Sequence, residues 1–288
     1  MFSYDEAFAR NLGWVTADEQ SRLRTKRIAI AGLGGTGGVH LLTLARLGIG
    51  AFNVADFDTF ALANFNRQAG AMVSTLGRPK AAVLAEMARD INPDLDINVF
   101  AGGVTEENVE QFFSGVDLYV DALDYFAFDA REIVYRHLEK RQIPAIIAAP
   151  LGMGAAVVNF LPGKMGFDQY FQLHGLPPRE KALRFLIGLS PAVLQRSYLV
   201  DPERVKFGEK AGPSTGMACQ ICAGVAATEA LKILLGRGGV LAAPWGFQFD
   251  AYRNRLVKTW RPGGMSNPMM KLMLILVRLK LGLKSGQA

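Results

Sequence analysis

Cysteine and histidine are nearly missing from this sequence. Its 288 residues include only Cys219 and Cys222 of the first and His40, His137 and His174 of the second. Two cysteines cannot build a disulfide framework, and their scarcity fits a reduced, cytoplasmic setting. The three histidines show no metal-ligand spacing, and His40 is expected to pack against a sheet. No uncharged apolar run reaches the roughly 18 residues that span a bilayer. The opening Met-Phe-Ser-Tyr-Asp-Glu lacks the basic stretch and apolar core of a signal peptide. Internal repeats and low-complexity tracts are absent as well. A soluble, cytoplasmic protein is the expectation.

One sign of charge is also missing, but locally. Residues 251–288 hold eight basic residues (Arg253, Arg255, Lys258, Arg261, Lys271, Arg278, Lys280, Lys284) and no acid. Net charge is +6, so subtracting these eight leaves −2 for everything before them. The basic balance belongs to the tail and does not make the main domain a nucleic-acid binder. With 50% hydrophobic and 20% charged residues, the chain can bury a substantial core.

Apolar runs then alternate between two periods. Short strands are expected at Arg27–Ala31, Ala51–Ala55, Leu95–Phe100, Val116–Val120 and Ala145–Ala149. Helices are expected between them, at Val39–Leu47, Lys80–Ile91 and Arg131–Arg141, after a helical lead-in with a Thr16/Glu19 capping box. This β-α alternation predicts an α/β fold: a Rossmann-like, doubly wound, mostly parallel sheet with helices on both faces. Strand Ala155–Phe160 breaks the rhythm, and residues 162–216, rich in proline, glycine and charge, follow with one helix near Lys181–Leu189. An apolar helix Ile221–Leu235, a strand pair at Phe247–Asp250 and Leu256–Trp260, and a basic apolar C-terminal helix complete the expectation. Residues 1–265 are read as one nucleotide-binding domain, with 162–216 as its variable region, and 266–288 as the tail helix.

The chemistry begins at Gly32-Leu-Gly34-Gly35-Thr-Gly37, with a strand before, a helix after and Asp56 19 residues beyond. Gly32 permits the tight turn, Gly34 lets phosphate approach the backbone, and Gly37 packs helix against strand. The helix N-terminus offers free N–H groups to phosphate. The loop by itself does not choose the nucleotide. The polar run Asp56-Phe-Asp58 to Asn64-Phe-Asn-Arg67-Gln68, followed by Lys80, adds an amide, a guanidinium and an ammonium. In a doubly wound sheet ligands lie outside the carboxyl ends of the strands, where the glycine loop, Asp56 and Asp124 all fall. Arg67 and Lys80 suit β and γ phosphates, and Asp124 suits Mg²⁺ bridging them. An NAD-dependent oxidoreductase would use the same loop and Asp56 but leave Asn64, Arg67, Lys80 and Asp124 without a task.

On these motifs, from about Phe8 to Trp260, the chain resembles the ThiF/MoeB/HesA group of E1-like enzymes, relatives of ubiquitin-activating enzyme. The matching residues are Arg10, Gly32-x-Gly-Gly-x-Gly37, Asp56, Asn64-x-x-Arg67-Gln68, Lys80 in Gly-Arg-Pro-Lys, and Asp124 in Asp-x-x-Asp. The resemblance implies an ATP-dependent adenylyltransferase that, with Mg²⁺, activates a carboxylate as acyl-AMP for transfer to a nucleophile. It implies nucleotide contacts from Gly32, Gly34, Gly35, Gly37, Asp56, Asp58, Asn64 and Gln68. Arg10, Arg67, Lys80 and Asp124 are the implied catalytic residues, with Asp124 also on the metal. It further implies a homodimer, because the arginine matching Arg10 reaches across to the partner's ATP. The carboxylate can belong to a ubiquitin-like or peptide C-terminus, a tRNA-linked residue or a small acid. The Asn-Arg-Gln segment is similar to the branch that cyclises threonylcarbamoyl-adenosine in tRNA.

Three departures from the family stand out. Where a second Cys-x-x-Cys commonly follows the last strand, this chain reads Trp260-Arg-Pro-Gly-Gly264, so no structural zinc is expected. The usual asparagine after the magnesium aspartate is Tyr125. Residues 162–216 match no known family pattern. A catalytically silent nucleotide-binding scaffold therefore remains an alternative. Cys219, after Gly212-Pro-Ser-Thr-Gly-Met, offers a helix-terminal thiol as a possible nucleophile, against the plainer reading of a small buried cysteine. In the tail, about 100° per residue sends Lys271 and Lys280 to opposite sides, which is not a clean amphipathic membrane helix. Docking on a partner protein is the expected role, with an anionic membrane or tRNA as alternatives.

Overall fold

A computed structural model describes residues 1–205 and 212–280 of the chain. Its centre is one eight-stranded sheet: β1 (Arg27–Ala31), β2 (Ala51–Ala55), β3 (Asp96–Phe100), β4 (Leu118–Asp121), β5 (Ala145–Pro150), β6 (Gly154–Phe160), β7 (Trp245–Asp250) and β8 (Arg255–Trp260). The spatial order is β3-β2-β1-β4-β5-β6-β7-β8. The first five strands run parallel, and β6 to β8 join antiparallel. The helices are α1 (Tyr4–Ala7), α2 (Ala17–Arg24), α3 (Gly37–Arg46), α4 (Lys80–Ile91), α5 (Val109–Phe112), α6 (Phe128–Arg141), α7 (Phe167–Phe171), α8 (Pro178–Leu189), α9 (Gly216–Leu235) and α10 (Pro268–Lys280).

Both sheet faces are covered, and the strand sequences show why. Successive side chains of a strand point to opposite faces. In β1, Ile28 and Ile30 face one core while Ala29 and Ala31 face the other. β4 repeats this with Leu118 and Val120 against Tyr119, and β5 with Ile146 and Ala148 against Ala145 and Ile147. Strands buried on both sides read as unbroken apolar runs, the mark of a parallel sheet between helical layers. Helices α3, α4 and α9 form one layer, and α5 to α8 the other.

The doubly wound sheet expected from the sequence is present, with β6 to β8 as the break in rhythm. Two short helices, α5 and α7, fall where the sequence reading had none. By length and composition α9 would suffice to cross a membrane, yet half of it is buried. It packs as a core helix against β5, β6 and α3, and its buried Glu229 accepts from Asn159 at 2.7 Å.

The tail forms the expected C-terminal helix, and one side of it packs on the body: Met270 and Leu274 of α10 bury against Leu183 and Ile187 of α8. Positions 281–288, including Lys284, lie outside the described residues, as does 206–211 within the variable region.

One buried side chain makes folding sensitive to acid. His40 on α3 is fully buried, and neither ring nitrogen has a hydrogen-bond partner. Burial disfavours the charged ring and lowers its pKa to about 4 from 6.5. The unfolded chain therefore takes up a proton, as pH falls below 6.5, that the folded chain refuses until about 4. This stabilising contribution is complete above pH 6.5 and is lost across that window, amounting to about 3 kcal/mol. His40→Gln should flatten the pH dependence of unfolding free energy there by up to one proton, whatever its effect at neutral pH. Denaturant titrations between pH 4 and 7 on both chains would test this, and equal slopes would refute it.

Candidate functional site

Four segments meet at the carboxyl ends of β1, β2 and β4. The glycine loop comes first. Gly32 has φ +85°, and a Cβ on it would lie 2.2 Å from the carbonyl oxygen of Ala122, just past β4. A Cβ on Gly37 would lie 1.8 Å from Gly32 O and 3.0 Å from Ala122 Cβ. Both positions therefore demand glycine, and their contact seats the start of α3 against β1 and β4. Gly34 faces open space, with Gln68 Nε2 its nearest neighbour at 3.7 Å from a built Cβ. Among the described residues, the N–H groups of Gly34, Gly35 and Thr36 donate to no other protein group. Such a row of free donors at a helix start is suited to an anion.

The β2 end supplies a chain of polar contacts. Asp56 accepts from Leu33 N at 2.6 Å and from Asp58 N at 2.8 Å, which pins the β2 turn to the glycine loop. Asp58 in turn pairs with Lys80 Nζ at 2.8 Å. Lys80 is almost wholly buried at the start of α4, and one of its three donors is committed to Asp58. Asp58, read from the sequence as a nucleotide contact, thus positions Lys80 in the ligand-free chain.

The Asn-Arg-Gln segment closes over the other side. A Cβ on Gly35 would touch Cys219 Sγ at 3.1 Å and Arg67 Cγ at 3.4 Å, so the Arg67 stem lies on the loop. Its guanidinium donates to Ala63 O at 2.9 Å and Asn66 Oδ1 at 3.0 Å. Asn64 Oδ1 accepts from Ala61 N at 2.9 Å, capping its own turn and leaving only the amide NH₂ for a ligand. Gln68 is buried with Oε1 unpartnered. A buried amide oxygen without a donor marks a place where a ligand or water belongs.

After β4, Asp124 is exposed, and one carboxylate oxygen accepts from Phe126 N at 2.9 Å. A single oxygen-rich side chain suits Mg²⁺, which takes one or two carboxylates together with phosphate and water. The residue holding this loop in shape was missed from the sequence. Arg131, 2% exposed, donates to Asp121 Oδ2 at 2.9 Å, Leu123 O at 3.0 Å and Asp124 O at 3.1 Å. Its guanidinium also lies 4.6 Å from the Phe185 ring centre. The available signal was a charged residue on the inner face of α6, a turn or two beyond Asp-x-x-Asp. Tyr125 points away from the site: its hydroxyl donates to Ala182 O of α8, and its ring packs against Phe185.

Two residues do not join this group. Arg10 is exposed on a short helical turn, Ala9–Asn11, whose Asn11 donates to Leu47 O at the far end of α3. Ten helical residues put that end about 15 Å from the glycine loop, beyond an arginine's reach. Cys219 does sit beneath the loop, but it is 1% exposed, and burial raises its pKa despite Ser214 and Arg67. A nucleophilic thiol needs a lowered pKa and access. Of the two readings of Cys219, burial and its raised pKa favour the plainer one, a small buried cysteine packed against Gly35 and Val39. A surface depression of about 770 Å³ beside Arg27, Asn53, Arg89 and Asn98 contains none of these site residues.

With the geometry established, comparisons place the chain. The ThiF family matches residues 8–269. A tRNA threonylcarbamoyladenosine dehydratase of Bacillus subtilis is 34% identical over 150 residues, covering 52% of this chain and 57% of that protein. The chain spans about half the length of the curated relatives it matches. Among solved structures, PaaA superposes with TM-score 0.67 at 20% identity, covering 90% of this chain and 76% of that one. E. coli tRNA N6-threonylcarbamoyladenosine dehydratase in complex with AMP superposes with TM-score 0.59 at 23% identity, covering 81% and 95%. At these identities the structural likenesses show the shared fold alone.

The Arg131–Asp121 pair yields a direct test. Removing one partner of a buried ion pair strands the other charge, at a cost of about 3–5 kcal/mol. Arg131→Met and Asp121→Asn should each lower stability in that range, and the double variant should lose clearly less than their sum. Urea denaturation of the four proteins gives the coupling directly, and additive losses would show that the two side chains act independently.

Proposed function

The chain belongs to the ThiF family, and we propose that it binds ATP at the glycine loop and transfers AMP to a substrate carboxylate. The observation that carries this reading is the linked set Leu33–Asp56–Asp58–Lys80, with Arg67 lying on Gly35 at the same strand ends. An acid for ribose alone would serve any dinucleotide. A buried lysine and an arginine beside the phosphate loop suit a polyphosphate whose leaving group must be stabilised. The family match and the AMP held by the E. coli dehydratase point the same way.

In the proposed reaction a carboxylate oxygen attacks the α-phosphorus of ATP. A P–O bond forms, the bond from that phosphorus to the α–β bridging oxygen breaks, and pyrophosphate leaves with the electron pair. The products are acyl-AMP and pyrophosphate. The free N–H groups of Gly34, Gly35 and Thr36 face the phosphates, Asp56 accepts from ribose, and Gln68 and Asn64 complete the nucleotide contacts. Lys80 and Arg67 neutralise charge as it builds on the departing pyrophosphate. Asp124 is the residue to hold Mg²⁺, which when bound supplies charge neutralisation for the phosphates. Most of the work is positioning, since the acid becomes activated only by exchanging a poor leaving group for AMP. A nucleophile from the substrate, a partner or water captures the acyl group, because Cys219 lacks the access to do so.

The substrate class extends from the relatives' names to this chain only as a proposal. A tRNA-linked carboxylate is the first choice to try, given the dehydratase relatives, with a peptide or ubiquitin-like C-terminus and a small acid next. Arg10 is proposed to act across a homodimer. It stands too far from its own glycine loop, and it is accompanied on the surface by Leu12 and by Trp14, which is 85% exposed.

Calorimetric titration tests the nucleotide: ATP with Mg²⁺ should bind and NAD⁺ should not, and the reverse result sinks adenylation. Asp124→Asn should fold normally yet slow ATP–pyrophosphate exchange about 100-fold or more. Unchanged exchange would place the metal elsewhere.

Mixing an Arg10→Ala chain with a Lys80→Ala chain tests action in trans, because their heterodimer has one site with both residues. Recovered exchange is the expected result. No recovery, with subunit exchange seen by native mass spectrometry, would mean Arg10 works within its own chain or only packs.

A further inference from the structure

Helix α10 is fixed to the body by one side only. Met270 and Leu274 are buried with Leu183 and Ile187 of α8 and with Met265, and Arg278 pairs with Glu180. On the other side Met269, Leu272, Ile275, Leu276 and Leu279 are 50–70% exposed. At about 100° per residue these five positions fall within one arc of about 120°, with no polar residue among them. Lys271, exposed, borders the arc on one edge, and position 280 falls at the other. The sequence reading took two lysines on opposite sides as evidence against a membrane helix. Packing on α8 changes that conclusion, because half the circumference is already covered and the lysine positions bracket what remains.

Charge selects the occupant. The lysine positions 271 and 280 border the arc, Arg278 is paired with Glu180, and α10 carries no acid. A second copy laid along this strip would bring basic edges against basic edges, without the acidic flanking positions that pair helices in coiled coils. A nucleic acid would satisfy the charge but leave five apolar side chains in water, since its outer surface is phosphate and sugar. An anionic lipid surface meets both demands. The acyl boundary takes the apolar arc, and the headgroups take the positive charge that borders it.

We propose that α10 rests in the plane of an anionic membrane surface, with Leu272, Ile275, Leu276 and Leu279 entering the acyl boundary. It lies on the surface and does not span it. The experiment is flotation of the full chain with vesicles of phosphatidylcholine alone and of phosphatidylcholine mixed with phosphatidylglycerol. The protein should float with the mixed vesicles, much less with the neutral ones, and less again as salt is raised. Leu272→Glu and Leu276→Glu should each lower vesicle partition about tenfold or more, since burying one leucine is worth at least that factor. Both positions are exposed, so the melting temperature and ATP binding should not change. Should glutamate unsettle the helix, Leu272→Gln carries the same expectation with no added charge. Absence of flotation with mixed vesicles overturns the proposal, as does flotation that these variants leave intact. A dimer in sedimentation that Leu276→Glu dissociates would instead assign the strip to a second copy. Binding of bulk tRNA lost on Leu272→Glu would assign it to nucleic acid.

Discussion

The lack of room between the first glycine of the loop and the end of β4 is the constraint on which the site depends. Gly32 touches Ala122, and Gly37 touches Gly32. Any side chain at either position would have to displace backbone, so β1, α3 and β4 are locked at one point. That lock sets where the free N–H groups of the loop aim. It also sets where the Asp124 loop begins, because Ala122 is shared by both. The glycine loop and the loop of Asp124 are thereby held by the same contact, although they are nearly ninety residues apart in sequence.

The polar groups around this point hold one another before any ligand arrives. Asp56 is tied to Leu33, Asp58 to Lys80, and Arg67 to Ala63 and Asn66. A lysine at the edge of a phosphate loop would otherwise sample many rotamers, and ordering it during binding would cost affinity. The pairing with Asp58 also offsets the desolvation of a nearly buried ammonium. On the proposed function, a bound phosphate would share or replace Asp58 as the partner of Lys80. Asp58 is half exposed, so its carboxylate can turn to water as it is released.

Much of this was legible in the sequence because period and punctuation agreed. Lys80–Ile91 was read to the residue, since Pro79 fixes its start and its apolar face repeats at helical spacing. β1 and β2 were equally plain as short apolar runs closed by glycine or aspartate. The short α5 and α7 were not, because four or five residues are too few to show a helical period. Within the site, glycines and charged residues announced themselves by spacing, whereas Arg131 did not. Its role depends on the Asp121 carboxylate, two carbonyl oxygens and a ring from α8, and none of those contacts leaves a local pattern. Cys219 could not be decided from sequence for a related reason: a helix N-terminus suggests a low pKa, but burial under Gly35 is a tertiary fact. Which half of the tail helix stays exposed was not legible either, because the helical wheel does not show which side α8 covers.

Helix α8 gathers these missed contacts in one place. Its Ala182 accepts from Tyr125 and its Phe185 stacks on Arg131, so one side of it is fastened to the loop that carries Asp124. Its Leu183 and Ile187, with Glu180, hold α10. The replacement of the family's asparagine by Tyr125 is then understandable, since a phenol is long enough to reach α8 where an amide is not. A loop stitched to α8 by a tyrosine and an arginine cannot shift without moving α8 or breaking buried contacts, because packed interiors resist small displacements. Residues 162–216, which the sequence reading could not place, lie within the family match and support the loop that carries Asp124. Changes in them that retune substrate choice are constrained to leave the Ala182 carbonyl and the Phe185 ring where they are.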